Sequence, residues 1–127
     1  MKIAMCLEDE PNAKWHLARQ MGVTEAVAIR RYDTDVVIWD YLTLARIKAR
    51  YEDFGFRVAV IEGWLPMDGI RLDDERHGLE LDRVLRTIEN MGALGIGTFC
   101  YNWMARHNWM RTSTTTRTRG GALTTSY

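Results

Sequence analysis

Apolar residues fall into two alternating kinds of segment along this chain. Residues 2–7, 23–29 (with AVAI at the centre), 57–62 (RVAVIE) and 96–101 (IGTFCY) are short, nearly continuous apolar runs. Runs of this length, without polar alternation, predict strands buried on both faces. Between them the apolar spacing is helical. Trp15, Ala18 and Met21 form one stripe, opened by Pro11 at a helix start and closed by Gly22. Leu44, Ile47, Tyr51 and Phe54 form a second, with Asp40 placed to cap its start and Gly55 to stop it. After the Gly/Pro-containing stretch GWLPMDG, Leu81, Val84, Leu85, Ile88 and Met91 line one face of a third helix, which Gly92 and Gly95 end.

Strand and helix alternate through the fourth strand, the grammar of right-handed βαβ units and a parallel sheet. The predicted class is α/β. The chain reads as the N-terminal half of a (β/α)8 TIM barrel: four adjacent parallel strands in the order 1-2-3-4, three intervening helices and a long C-terminal loop. A complete barrel of that kind takes about 250 residues, against 127 here. A flavodoxin-like open sheet is the competing arrangement, but it calls for a closing helix where this chain turns Thr-rich. Residues 1–127 are read as a single partial domain. Within it, residues 102–127 form a loop after strand four, with room for a hairpin.

Charge adds an asymmetry. The 17 basic and 17 acidic residues cancel, so no global field draws the chain to nucleic acid or to a membrane, and neither is expected as a partner. All 17 acids nevertheless lie within the first 89 residues, alongside 13 of the bases. The last 38 residues carry Arg106, Arg111, Arg117 and Arg119 and no acid. Cys6 and Cys100 are too few and too far apart for a disulfide scaffold or a zinc motif. The N-terminus lacks the long apolar core of a secretory signal, which leaves a cytoplasmic location as the expectation. No Gly-rich phosphate loop or G-x-S-x-G elbow follows a strand.

Several stretches resemble mannonate dehydratase. They are MKIAMCL at the start, the segment WDYLTLARIKARYEDFGFRVAVIEGWLPMDGIRL, ENMGALGIGTFCYNWM, and WMRTSTTTRTRGGALTTSY near the end. The most specific pieces are VIEGW, CYNWM and TRGGA; the weakest stretch is 29–37, and Ala105 stands where many members have Pro. The resemblance implies a metal-dependent hydro-lyase of the xylose-isomerase-like barrel superfamily, substantially longer than this chain. Such an enzyme dehydrates D-mannonate to 2-dehydro-3-deoxy-D-gluconate in hexuronate (glucuronate) catabolism with Mn²⁺ or Fe²⁺. It further implies a small sugar-acid ligand, a homo-oligomer when full length, and metal ligands beyond residue 127. This chain alone is then expected to be inactive, with no metal site of its own and no assignable catalytic acid or base. A sugar isomerase or epimerase of the same superfamily is the alternative enzyme. A catalytically silent half-barrel that binds or assembles is the alternative outside enzymes.

Chemistry in parallel barrels collects at the carboxyl ends of strands, which selects residues 7–10, 29–31, 62–64 and 101–103. Five residues are candidates for substrate binding: Glu62, Trp64, Asn102, His107 and Arg111. Glu62 follows four apolar residues, where a carboxylate suits sugar hydroxyls or a metal-bound water. Asn102 both donates and accepts, between aromatic residues that pack on sugar C–H faces. Trp64 shares that aromatic role. His107 falls in the candidate loop. Arg111 is a bidentate partner for a carboxylate, and Gly120 and Gly121 permit close backbone approach. His16, beside Trp15 in a helix, is expected to be a surface or packing residue.

Overall fold

A computed structural model describes residues 2–30, 40–63, 65–101, 103 and 110–126. Four parallel strands, β1 (Ala4–Glu8), β2 (Glu25–Arg30), β3 (Arg57–Gly63) and β4 (Thr98–Cys100), form one sheet in the order β1-β2-β3-β4. Sequential order excludes the flavodoxin arrangement, in which the first strand lies between two others.

Helices α1 (Ala13–Gln20) and α2 (Tyr41–Asp53) cover one sheet face, but Met21, predicted to belong to the first stripe, follows α1 at its C-cap and is exposed. Asn12 rather than Pro11 opens α1: its side-chain oxygen accepts from Lys14 N at 2.9 Å, an N-cap interaction that proline cannot make. Asp40 caps α2 by accepting from Thr43 N at 2.7 Å. Gly55, at φ +88°, takes the left-handed turn beyond that helix. Trp15, Ala18, Leu44, Ile47 and Tyr51 pack on Leu7, Ala26, Ala28, Val58 and Ile61 of the strands. At the centre the Trp15 and Tyr51 rings lie 4.3 Å apart, and Phe54 and Phe56 meet Trp15 edge-on.

The connection from β3 to β4 holds two helices where the sequence pattern predicts one. The short α3 (Asp68–Leu72) precedes the long α4 (His77–Ala93). Glu80 of α4 is buried, and its carboxylate accepts from Gly69 N at 2.7 Å, tying α4 to the first turn of α3. Glu80, Thr87 and Met91 are the buried residues of α4, while Leu81, Leu85 and Ile88 stand exposed. The predicted stripe is therefore split: Val84 and Met91 face the core, while Leu81, Leu85 and Ile88 lie on a flank of α4 left uncovered among the described residues. Gly92 sits inside the helix; Gly95, at φ +70°, makes the turn after it.

The segment read as a loop contains a hairpin, β5 (Ser113–Arg117) and β6 (Leu123–Ser126), paired antiparallel. Its turn holds Gly120 and Gly121 at φ +73° and +77°, which is why the Gly-Gly pair is there. No helix among the described residues is long and apolar enough to cross a membrane.

Candidate functional site at the carboxyl ends of the strands

The sheet has a second face, opposite the helices. Register aligns its residues into two rows: Cys6, Val27, Val60 and Thr98 in one, and Glu8, Ile29, Glu62 and Cys100 in the next toward the carboxyl ends. Along β1 this face is open, with Cys6 and Glu8 exposed beside the fully buried Leu7.

A bulge sets which β3 residues join these rows. The register between β2 and β3 jumps after the Ala26–Val58 pair, so that Val27 pairs with Val60 and Ile29 with Glu62. Val58 and Ile61 consequently turn into the helix layer, buried to 1% and 0% exposure, while Glu62 faces the open side. Bulges of this kind re-aim a side chain by one position. The placement has an electrostatic trace: burial, and next the Glu62 carboxylate, push the Cys6 thiol above its ordinary range.

The end of β1 is held from two helices. Tyr51 of α2 donates its hydroxyl to the carbonyls of Leu7 (2.7 Å) and Glu8 (2.9 Å). Trp15 of α1 donates Nε1–H to the same Glu8 carbonyl at 3.1 Å. Arg50 reaches the Asp9 carbonyl and the Glu10 carboxylate. The Glu8 side chain takes Lys14 Nζ at 3.3 Å and Asn12 Nδ2 at 3.4 Å. Its own backbone N–H, Lys14 and Asn12 hold its carboxyl below the usual carboxylate range.

Of the sequence-selected residues, Glu62 lies in this row at the strand ends. Arg111 is exposed, two residues ahead of β5. Trp64, Asn102 and His107 lie outside the described residues. Flanking Asn102, Tyr101 and Trp103 are both exposed after β4, their rings 6.2 Å apart and edge-to-face. His16 packs its ring on Phe54, and His77 bonds Asp73. Among the described residues no group of three or more His, Cys, Asp or Glu is placed to hold a metal ion. Glu8, inside the selected span 7–10 but not among the five candidates, lies in the same row as Glu62. Its signal was its position, the first charged residue after the first apolar run.

The model of the D-mannonate dehydratase (UxuA) family matches residues 7–127. The chain belongs to the D-mannonate dehydratase family. It is 30% identical over 106 residues to the mannonate dehydratase of Streptococcus uberis, covering 83% of this chain and 30% of that protein. With the mannonate dehydratase of Thermotoga maritima it shares 27% over 110 residues, covering 86% of this chain and 31% of the relative. The crystal structure of mannonate dehydratase from Streptococcus suis serotype 2 superposes with a TM-score of 0.81 at 22% identity, over 98% of this chain and 36% of that one. That likeness shows the fold: these four strands and their helices are the arc of a parallel β/α barrel. The chain spans about a third of the length of the relatives it matches.

Proposed function

We propose that a polypeptide of the relatives' length carrying this sequence is a D-mannonate dehydratase. The reaction removes the proton from C2 and the hydroxyl from C3 as water; the resulting enol becomes the ketone of 2-dehydro-3-deoxy-D-gluconate. The observation that carries this reading is the family match, which runs through nearly the whole chain. The enzyme is assigned to hexuronate catabolism in the cytoplasm, as a homo-oligomer acting on a small sugar acid, with no nucleic-acid or membrane partner.

Within this chain the open row at the strand ends supports substrate binding. Glu62 accepts hydrogen bonds from substrate hydroxyls, and the exposed aromatic rings beside Asn102 offer flat faces for sugar C–H groups. Arg111, which belongs to a segment with four arginines and no acid, is assigned to the substrate carboxylate, with Trp64, Asn102 and His107 as further contacts. The Mn²⁺ or Fe²⁺ that the family resemblance implies does not fit the described residues, which lack a ligand cluster. Its ligands are assigned outside them, and no step is drawn through it.

The test is formation of the 2-keto-3-deoxy acid from D-mannonate, followed colorimetrically. The full-length protein should turn over at about 1 per second or more, and the 127-residue chain should not. Turnover by the chain alone would place the site wrongly; no turnover by the full-length protein would overturn the function. In the full-length enzyme Arg111→Ala should raise KM at least tenfold, the loss of a charge-assisted contact, and Arg117→Ala should change it little. Near-normal kinetics for Arg111→Ala would make the arginines a surface feature.

A further inference from the structure

We propose that Glu8 is a substrate-contacting carboxylate of this site, and that Tyr51 and Trp15 are positioning residues that hold it in place. The inference rests on the dehydratase reading and adds a residue and a support to it.

Location is the first argument. Glu8 ends β1 on the open face of the sheet, in the same cross-strand row as Glu62 and two strands from it. A substrate lying across the strand ends and bonded to Glu62 extends along that row. The second argument is the support. Carbonyls at the end of a strand are commonly left to water, yet here the carbonyls of three consecutive residues, 7 to 9, take side-chain donors from two helices. Two of those donors, Trp15 and Tyr51, are fully buried aromatic residues. Fixing this corner of backbone fixes the direction in which Glu8 leaves it, as a binding group must be fixed by its surroundings.

Chemistry is the third argument. The Glu8 carboxylate is ionised and half exposed, with Lys14 and Asn12 on one side. An ionised carboxylate is acceptor-only, so its remaining lone pairs suit the neighbouring hydroxyls of an aldonic acid. An exposed Lys–Glu pair contributes little by itself, and the Glu8–Lys14 contact therefore does not account for three donors spent on this corner.

The experiment uses the full-length enzyme with D-mannonate. Glu8→Gln should raise KM about tenfold, because the amide places a donor where an acceptor is needed. Lys14→Met should stay within about twofold of wild type, since it removes only the surface pair. Tyr51→Phe should raise KM severalfold with kcat nearly unchanged, whereas a merely structural loss would lower the amount of active enzyme and leave KM alone. Glu8→Asp guards against a folding defect and should recover part of the affinity. If the wild type is active and Glu8→Gln keeps its KM, or if Lys14→Met reproduces the loss, the role of Glu8 is refuted while the dehydratase reading stands. If the wild type neither binds nor turns over D-mannonate, both fall.

Discussion

Replacing Tyr51 by Phe removes one oxygen from a fully buried side chain and leaves the ring in place. The ring keeps its tilted contact with Trp15, so the apolar contribution is nearly unchanged. What disappears is a hydroxyl that donates to the Leu7 and Glu8 carbonyls. The Glu8 carbonyl retains Trp15 Nε1, while the buried Leu7 carbonyl loses its side-chain donor. One net hydrogen bond and a partly desolvated acceptor together cost about 1.5 kcal/mol. With a urea dependence of about 2 kcal/mol/M for a chain of this size, the unfolding midpoint should fall by about 0.7 M at constant slope. Tyr51→Leu, which also deletes the ring and its aromatic contact, should cost roughly 3 kcal/mol or more. Equilibrium urea unfolding followed by tryptophan fluorescence measures both. A Tyr51→Phe midpoint equal to wild type would mean that water serves these carbonyls equally well, and the clamp on β1 would lose its energetic basis.

The same hydroxyl predicts an alkaline limit. Burial, with the charges of Asp9 and Glu8 behind it, raises the Tyr51 pKa above its ordinary value of 10.0. The neutral form is then favoured in the fold, so this contribution is complete below about pH 10 and is lost as pH rises above it. Urea midpoints taken across that range should drop more steeply in the wild type than in Tyr51→Phe, and parallel curves would contradict the assignment. In a Cys100→Ser background, Glu62→Gln should speed iodoacetamide alkylation of Cys6 by a factor on the order of two, because a neighbouring negative charge that holds back the thiolate is gone; an unchanged rate would move Glu62 off this face. Gly69→Ala sets a helix-propensity gain of about 1 kcal/mol against a clash. The new Cβ would lie 2.7 Å from Arg76 Cβ and 2.9 Å from its carbonyl carbon. The clash should prevail and lower the thermal midpoint by roughly 5 °C, and a rise in that midpoint would show that α3 can shift at little cost.

The sequence pattern exposes the frame because each frame element is decided locally. The four apolar runs become β1 to β4 in sequential order, and Asp40 and Gly55 bound α2 as their chemistry requires. Elements decided by contact were not legible. The α3 helix has five residues, too few for a period, and is fastened by a carboxylate eleven positions away. Of the stripe Leu81, Val84, Leu85, Ile88 and Met91, Val84 and Met91 reach the core while Leu81, Leu85 and Ile88 are exposed among the described residues, because apolar spacing reports a face without saying what covers it. The barrel class, the family and Glu62 as a strand-end carboxylate came from local runs and short motifs. The clamp on β1 came from none, since Tyr51 reads only as an apolar position of a helix stripe.

Glu62 shows where the division lies. The sequence alone fixes a carboxylate at the end of the VAVI run, and hence at the carboxyl end of a strand. Which face it takes is not contained in that run, because every residue before it is apolar and either alternation is compatible with burial. An unbroken register from the Ala26–Val58 pair would turn Glu62 into the helix layer. The one-residue bulge beside Ala26 and Val27 instead turns Ile61 inward and Glu62 to the open row with Glu8 and Cys100. That choice belongs to the tertiary structure, since only the packing of β3 against both its neighbours and the helices distinguishes a buried isoleucine from a buried charge.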